Sequence, residues 1–163
     1  MLIVLGVNTG LRISDLLRLT KADVYDFGQC SFRTHIHATE KKTGKQKSIA
    51  LNKKVIDALR LCFGSCMGRP ENFSFQTNRK NRATIGRIQA RRIVKETANA
   101  IGVAGIIGVH SLRKTLGYHA WKAGVAAVLF MDIFNHSSFE VTRRYLGISQ
   151  DDRDKVYLSL ALI

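Results

Sequence analysis

Apolar positions along the chain change period twice, and the changes mark out its elements. Met1 opens directly into an apolar stretch that runs to Gly6-Val-Asn-Thr-Gly10 without a capping residue ahead of it, and Gly10 is placed to end a first helix. Leu11 to Leu19 predicts a second helix, with Leu11, Leu16, Leu17 and Leu19 inward. From Asp23 to Leu51 the period drops to two: Val24 and Phe27, then Phe32, Thr34 and Ile36, then Ser48-Ile-Ala-Leu51, with polar Lys41 to Lys47 between. This spacing predicts a small antiparallel sheet with a basic hairpin tip.

The helical period then returns. Asn52 is a cap for a helix near Lys53 to Cys62. Gly64 to Asn72, with the only proline, Pro70, reads as a loop, and Phe73 and Phe75 as a short core strand. Thr84 to Ala100 is amphipathic and ends at Gly102, with Arg82, Arg87, Arg91, Arg92 and Lys95 on a basic face. His110 to Ala123 ends at Gly124, Val125 to Phe134 follows, Phe139 to Tyr145 leads to Gly147, and Ser149 caps a last helix from Gln150 toward Leu160. The expected architecture is mainly α (α+β), helices around one small antiparallel sheet, in a single globular domain without repeats or linkers.

Composition narrows the partners. The chain has 163 residues, 45% of them apolar, which is enough for one domain with its own core. Lys and Arg number 26 against 12 Asp and Glu, a formal charge of +14, and such self-repulsion is relieved by a polyanion. Nucleic acid is the first candidate; an anionic membrane surface is second, because the basic residues are spread across many short segments rather than gathered in one. The longest apolar runs fall short of the roughly 18 residues a membrane span requires. Three cysteines, an odd number, and an N-terminus without signal-peptide features lead to the expectation of a soluble, cytoplasmic protein. Cys62 and Cys66 with His35 and His37 are weak zinc candidates, and buried or surface thiols are the plainer reading. Gly102-Val-Ala-Gly-Ile-Ile-Gly108 lacks the Lys-Ser/Thr of a P-loop, and no acidic cluster suggests magnesium, so no cofactor is expected.

Four local phrases carry the chemistry: Thr9-Gly-Leu-Arg-Ile-Ser-Asp15, Lys42-Thr-Gly-Lys45, His110-Ser-Leu-Arg-Lys-Thr115 and Asn135-His-Ser-Ser138, the last followed by Tyr145 nine residues after His136. In this order and spacing they resemble the catalytic domain of the tyrosine recombinases, the phage-type integrases, from about Thr9 to Tyr145. The resemblance implies that family's catalytic fold and a catalytic set of Arg12, Lys42, His110, Arg113, His136 and Tyr145. It also implies that one or two upstream DNA-binding domains are missing, and the uncapped start at Met1 reads as a first helix cut short, so that residues 1–163 are expected to be a C-terminal catalytic domain.

Each assigned role suits its residue type. Attack on a phosphodiester builds negative charge on the non-bridging oxygens, and planar, permanently charged guanidiniums such as Arg12 and Arg113 can contact them in bidentate fashion. Tyr145 is the nucleophile by the resemblance; a phenol near pKa 10 needs neighbouring positive charge or a base to lose its proton. By the resemblance Lys42, before its Thr-Gly turn, is the general acid for the departing 5′ alkoxide, with Lys41 and Lys45 as competitors on the same tip and solvated loop lysines as the plainer reading. His110, three residues before Arg113, can donate to the phosphate or exchange a proton with the tyrosine, and His136 would bond a non-bridging oxygen. Asn135 stands where relatives usually have glycine, and Lys114 where a histidine is frequent. Asp15 would orient Arg113 or Arg12, with a solvent-exposed aspartate as the alternative.

DNA contacts are expected from Lys41, Lys45, Arg87, Arg91, Arg92 and Lys114. The expected activity is site-specific recombination or integration through a 3′-phosphotyrosine, resolved by a 5′-hydroxyl of another strand, on double-stranded DNA in a homo-oligomer, by the family a tetramer, joined through the C-terminal segment Gln150 to Ile163. The alternatives are strand cleavage and resealing of the type IB topoisomerase kind, and a noncatalytic DNA-binding module.

Overall fold

Gly10 does end the first helix, in the left-handed backbone (φ 62°) that glycine adopts without the Cβ penalty. That helix, α1 (Leu2–Thr9), opens the computed structural model, which describes residues 1–64, 75 and 83–159. The elements that follow are α2 (Ile13–Leu16), β1 (Tyr25–Asp26), β2 (Ser31–Phe32), β3 (His35–Thr39), β4 (Gln46–Ala50), α3 (Lys53–Phe63), α4 (Arg87–Ala100), α5 (Val109–Lys122), α6 (Ala127–Phe134), α7 (Phe139–Leu146) and α8 (Gln150–Ser159). The mainly helical class with small antiparallel sheets is as expected. Residues group into two compact units, 1–113 and 114–163, and the division falls within α5.

In the first unit, Leu5, Leu16, Val24, Ile36, Val55, Leu59 and Ala90 are almost wholly buried in one cluster. The predicted helix over Leu11 to Leu19 shrinks to α2. On a continuous helix Leu11, Leu16, Leu17 and Leu19 would point around more than half the cylinder, whereas one short turn followed by irregular chain buries all four. The single predicted sheet is two separate hairpins, β1 with β2 and β3 with β4, both antiparallel. Exposed Arg33 and Thr34 interrupt the strand between β2 and β3. Along β3 and β4 the register pairs Ile36 with Ile49 and Ala38 with Lys47, so one face carries Ile36, Ala38, Ile49 and, unusually, a lysine.

Asn52 caps α3 by accepting from the Val55 N–H, and its amide donates to the Asn8 side chain at 2.7 Å, tying α3 to α1. Phe75 is buried and its carbonyl accepts from Ile85 at 2.9 Å; Phe73, the expected loop beyond Gly64 and Arg82 lie outside the described residues. Helix α4 starts at Arg87 rather than Thr84, because the Thr84 hydroxyl is spent on the Leu17 carbonyl (2.9 Å) and Gly86 takes the cap position.

The second unit is built on Phe130, Phe134 and Leu146, each no more than 1% exposed, with Leu116, Trp121 and Tyr145 packed around them. Full burial of side chains this size contributes about 1.5–3 kcal/mol apiece. Helix α8 is tied to α5 by Lys122 and Asp152 (2.7 Å), and Asp152 also accepts from the Ser149 N–H and hydroxyl at its start. The Lys122 and Ser149 donors hold the Asp152 carboxyl well below its ordinary range. No helix among the described residues is long and apolar enough to cross a membrane.

Candidate active site

The phrase Thr9 to Asp15 does three local jobs. Gly10 turns the chain out of α1 and Arg12 holds an extended backbone (φ −65°, ψ 146°) as the residue before α2. The Gly10 carbonyl accepts a short hydrogen bond from the Arg113 guanidinium. Arg113 is buried (3% exposed), one turn along α5 from exposed His110. The two arginines are thereby fixed to one short stretch of backbone, Arg12 by chain connectivity and Arg113 by its contact with Gly10.

Arg12 forms an ion pair with Glu40, a charge contact in which its Nη1 meets no acceptor at hydrogen-bonding angle among the described residues. Glu40 is 1% exposed and its other carboxylate oxygen takes the Lys47 ammonium at 2.9 Å. Burial pushes the Lys47 pKa down; the bond to Glu40 and its charge oppose this, and the Arg113 and Arg12 charges add to the lowering. Neither Glu40 nor Lys47 was expected from the sequence. The signal was there in strand alternation, since Lys47 shares its face with Ile49 and sits opposite Ala38.

Asp15 is not exposed and, among the described residues, is bonded to neither Arg113 nor Arg12. It is buried (4% exposed), and its Oδ1 accepts from the Lys41 backbone N–H at 3.1 Å, so it anchors the start of the hairpin turn. Lys41, Lys42 and Lys45 are exposed on that turn, which Gly44 closes with φ 68° and a backbone bond to Glu40 at 2.8 Å. Arg87, Arg91 and Lys95 are exposed at four-residue spacing along α4, while Arg92 faces Glu96 at 3.6 Å; Lys114 is exposed on α5.

In the second unit, His136 and Tyr145 are neighbours, their ring centroids 4.9 Å apart, with Phe134 5.5 Å from each. His136 Nδ1 meets the buried Thr142 hydroxyl at 3.0 Å, which sets the plane of the ring. Asn135 takes the left-handed conformation (φ 50°) at the end of α6, and this turn presents His136. Gly117 allows α5 to pass close by: a Cβ there would lie 2.8 Å from the Tyr145 carbonyl and 3.2 Å from the Phe134 ring. Gly117→Ala is therefore expected to displace Tyr145 and cost about 1–3 kcal/mol of stability, measured by thermal unfolding.

Over residues 1–151 the sequence matches the phage integrase family. The chain belongs to that family. It is 36% identical over 156 residues to a probable integrase/recombinase, YoeC, of Bacillus subtilis (strain 168), a match covering 96% of this chain and 81% of YoeC. Among solved structures it is similar to the XerA recombinase (TM-score 0.76, 19% identity, 98% of this chain and 57% of that one). It is also similar to the XerH site-specific recombinase bound to a palindromic difH substrate (0.72, 20%, 96% and 43%). A lambda integrase dimer bound to a COC′ core site scores 0.63, at 19% identity over 93% of this chain and 51% of that one. The chain thus spans about half the length of these structures, and the likeness shows the integrase catalytic fold. Among the described residues no group of three or more His, Cys, Asp or Glu is placed to hold a metal ion; Cys62, His35 and His37 are exposed, and Cys66 lies outside them.

Proposed function

We propose that this integrase-family chain is the catalytic part of a site-specific DNA recombinase that cuts with Tyr145. The observation supporting this most is that all six residues of the series, Arg12, Lys42, His110, Arg113, His136 and Tyr145, fall inside the 1–151 family match. The Tyr145 oxygen attacks the phosphorus, the bond to the 5′ oxygen breaks, and a 3′-phosphotyrosine holds the energy of the linkage until a 5′-hydroxyl of another strand attacks it. Arg12 and Arg113 stabilise the charge on the non-bridging oxygens, His136 donates to the phosphate, His110 takes the proton that the Tyr145 hydroxyl loses as its oxygen attacks, and the 5′ oxygen takes a proton from Lys42. No metal or nucleotide has a part in these steps.

The partner in this reading is duplex DNA, reached through Lys41, Lys45, Arg87, Arg91, Arg92 and Lys114, with a homo-oligomer, by the family a tetramer, assembled on it. Val156, Tyr157 and Leu158 of α8 are exposed, which suits docking on a neighbour. Contacts to about six to ten phosphates would make duplex affinity fall on the order of 10³- to 10⁵-fold between 50 and 200 mM salt, as checked by fluorescence anisotropy; a flat response would remove the basic surface from the account.

Lys42 is tested by its leaving group. Lys42→Ala is expected to slow cleavage by roughly 10²- to 10⁴-fold on ordinary DNA. Against a linkage whose 5′ bridging oxygen is replaced by sulfur, which departs without a proton, the deficit should vanish. If Lys47→Ala shows that rescue and Lys42→Ala does not, Lys47 is the donor.

The decisive assay for the activity is adduct formation on nicked duplexes with a randomised core, which requires no knowledge of the target. Adducts with wild-type protein that vanish in Tyr145→Phe support the enzyme; their absence from both leaves a noncatalytic DNA-binding module.

A further inference from the structure

Glu40 has no assigned part in the reaction, yet both its side chain and its backbone are held by several partners. Its side chain is almost fully buried at the end of a strand facing a cationic cluster, an expensive place for a carboxylate unless every oxygen is used. One oxygen faces Arg12 and accepts from the Thr43 hydroxyl at 2.9 Å, while the other takes Lys47. The backbone of Glu40 closes the hairpin turn, donating to the Lys45 carbonyl at 3.0 Å and accepting from Gly44 at 2.8 Å. One residue thus joins a proposed phosphate ligand to the turn that carries the proposed proton donor.

We propose that Glu40 is a positioning residue: its carboxylate, shared between Arg12 and Lys47 and tied through Thr43 to the turn bearing Lys42, sets the direction of the Arg12 guanidinium. The assignment rests on Arg12 being a phosphate ligand. Arg12 needs such a partner because it precedes a helix of only four residues and has a long, flexible side chain. Arg113 achieves the same fixity through the Gly10 carbonyl. A carboxylate suits Arg12 better than a carbonyl does, because it can hold Lys47 at the same time. Glu40 also lowers the net positive charge of the cluster, so the site tolerates three cations in close quarters before any phosphate arrives. The Lys47 ammonium, disfavoured by burial and by both arginines, depends on Glu40 for its compensation. Removing the carboxylate therefore loosens Arg12 and the turn together.

Two readouts test this with the Glu40→Gln, Glu40→Asp and Arg12→Ala proteins, each first shown by circular dichroism to be folded at the assay temperature. The first is ¹⁵N NMR of the Arg12 guanidinium, which does not depend on cleavage. In wild-type protein the Arg12 Nη signals are expected to be separately resolved by slow rotation. In Glu40→Gln they should merge, with Glu40→Asp between. The second is the rate of covalent adduct formation on a nicked duplex selected from the randomised pool, where Glu40→Gln should lose on the order of 10²-fold and Glu40→Asp should recover part of that. Placing a methylphosphonate at the cleaved linkage removes the charge that Arg12 would stabilise, and on that substrate the Glu40→Gln deficit should shrink toward none. A purely structural role would leave the deficit equal on both substrates.

Unchanged Arg12 signals in Glu40→Gln overturn the proposal, as does an equal deficit on the two substrates. A wild-type rate in Arg12→Ala would instead overturn the assignment of Arg12 as a phosphate ligand, whatever Glu40→Gln does. If wild-type protein forms no adduct at all, the proposed activity fails and the positioning of Arg12 is decided by the NMR signals alone.

Discussion

Tyr145→Phe protein is expected to form no covalent adduct with nicked DNA while keeping its fold and its affinity for duplex. The expectation of an intact fold comes from what the ring touches. Tyr145 is half-buried against Phe134 and His136, at 5.5 and 4.9 Å between ring centroids, and phenylalanine preserves those aromatic contacts. What is lost is the one hydroxyl assigned as nucleophile, so the effect on chemistry is total rather than graded. Unfolding temperature and duplex affinity of the variant should match those of the wild type, and a gel of denatured protein–DNA adducts should show a band for the wild type alone.

The second large effect is at the arginines. Arg12→Ala and Arg113→Ala are each expected to slow adduct formation by ~10² or more, as when one preorganised donor to a developing oxyanion is removed. Their stability costs should differ, and the structure says in which direction. Arg113 is buried and its loss leaves the Gly10 carbonyl without that donor, a cost of about 1–3 kcal/mol. Arg12 is more exposed, and when it is removed Glu40 retains Lys47 and Thr43. Arg113→Ala should therefore melt lower than Arg12→Ala while the two are similarly slow per folded molecule. Collapse of both proteins by circular dichroism would make the arginines structural.

Most helices were legible in the sequence because their ends carry their own chemistry. Gly10, Gly102, Gly124 and Gly147 all adopt the left-handed backbone just past a helix, and Asn52 and Ser149 bond the first turn of the next one. The backbone of two motifs follows the same rule: Gly10 to Arg12 and Asn135 to Ser138 are short links between helices whose local geometry is set by a few neighbours. What failed depended on the rest of the chain. Leu11 to Leu19 has helical composition, but the demand to bury all four leucines overrides it, and Arg33-Thr34 splits the sheet where strand period alone suggested continuity. For Asp15 the sequence offers Arg113, Arg12 or solvent as the partner, whereas its carboxylate is buried and accepts from a backbone N–H 26 residues along. Glu40 and Lys47 look like solvated surface within a run of lysines; alternation with Ile49 is the one hint in the sequence, and the pairing register places Lys47 on the inner face of the hairpin.

The site at which DNA becomes attached decides whether Tyr145 is the nucleophile. Adduct trapped on the nicked, randomised duplex, trimmed with nuclease and digested with trypsin, is expected to carry a 3′-linked nucleotide on the peptide Tyr145–Arg153. Attachment through a 5′ phosphate, or to Tyr25, Tyr118 or Tyr157 with Tyr145 unmodified, would contradict it.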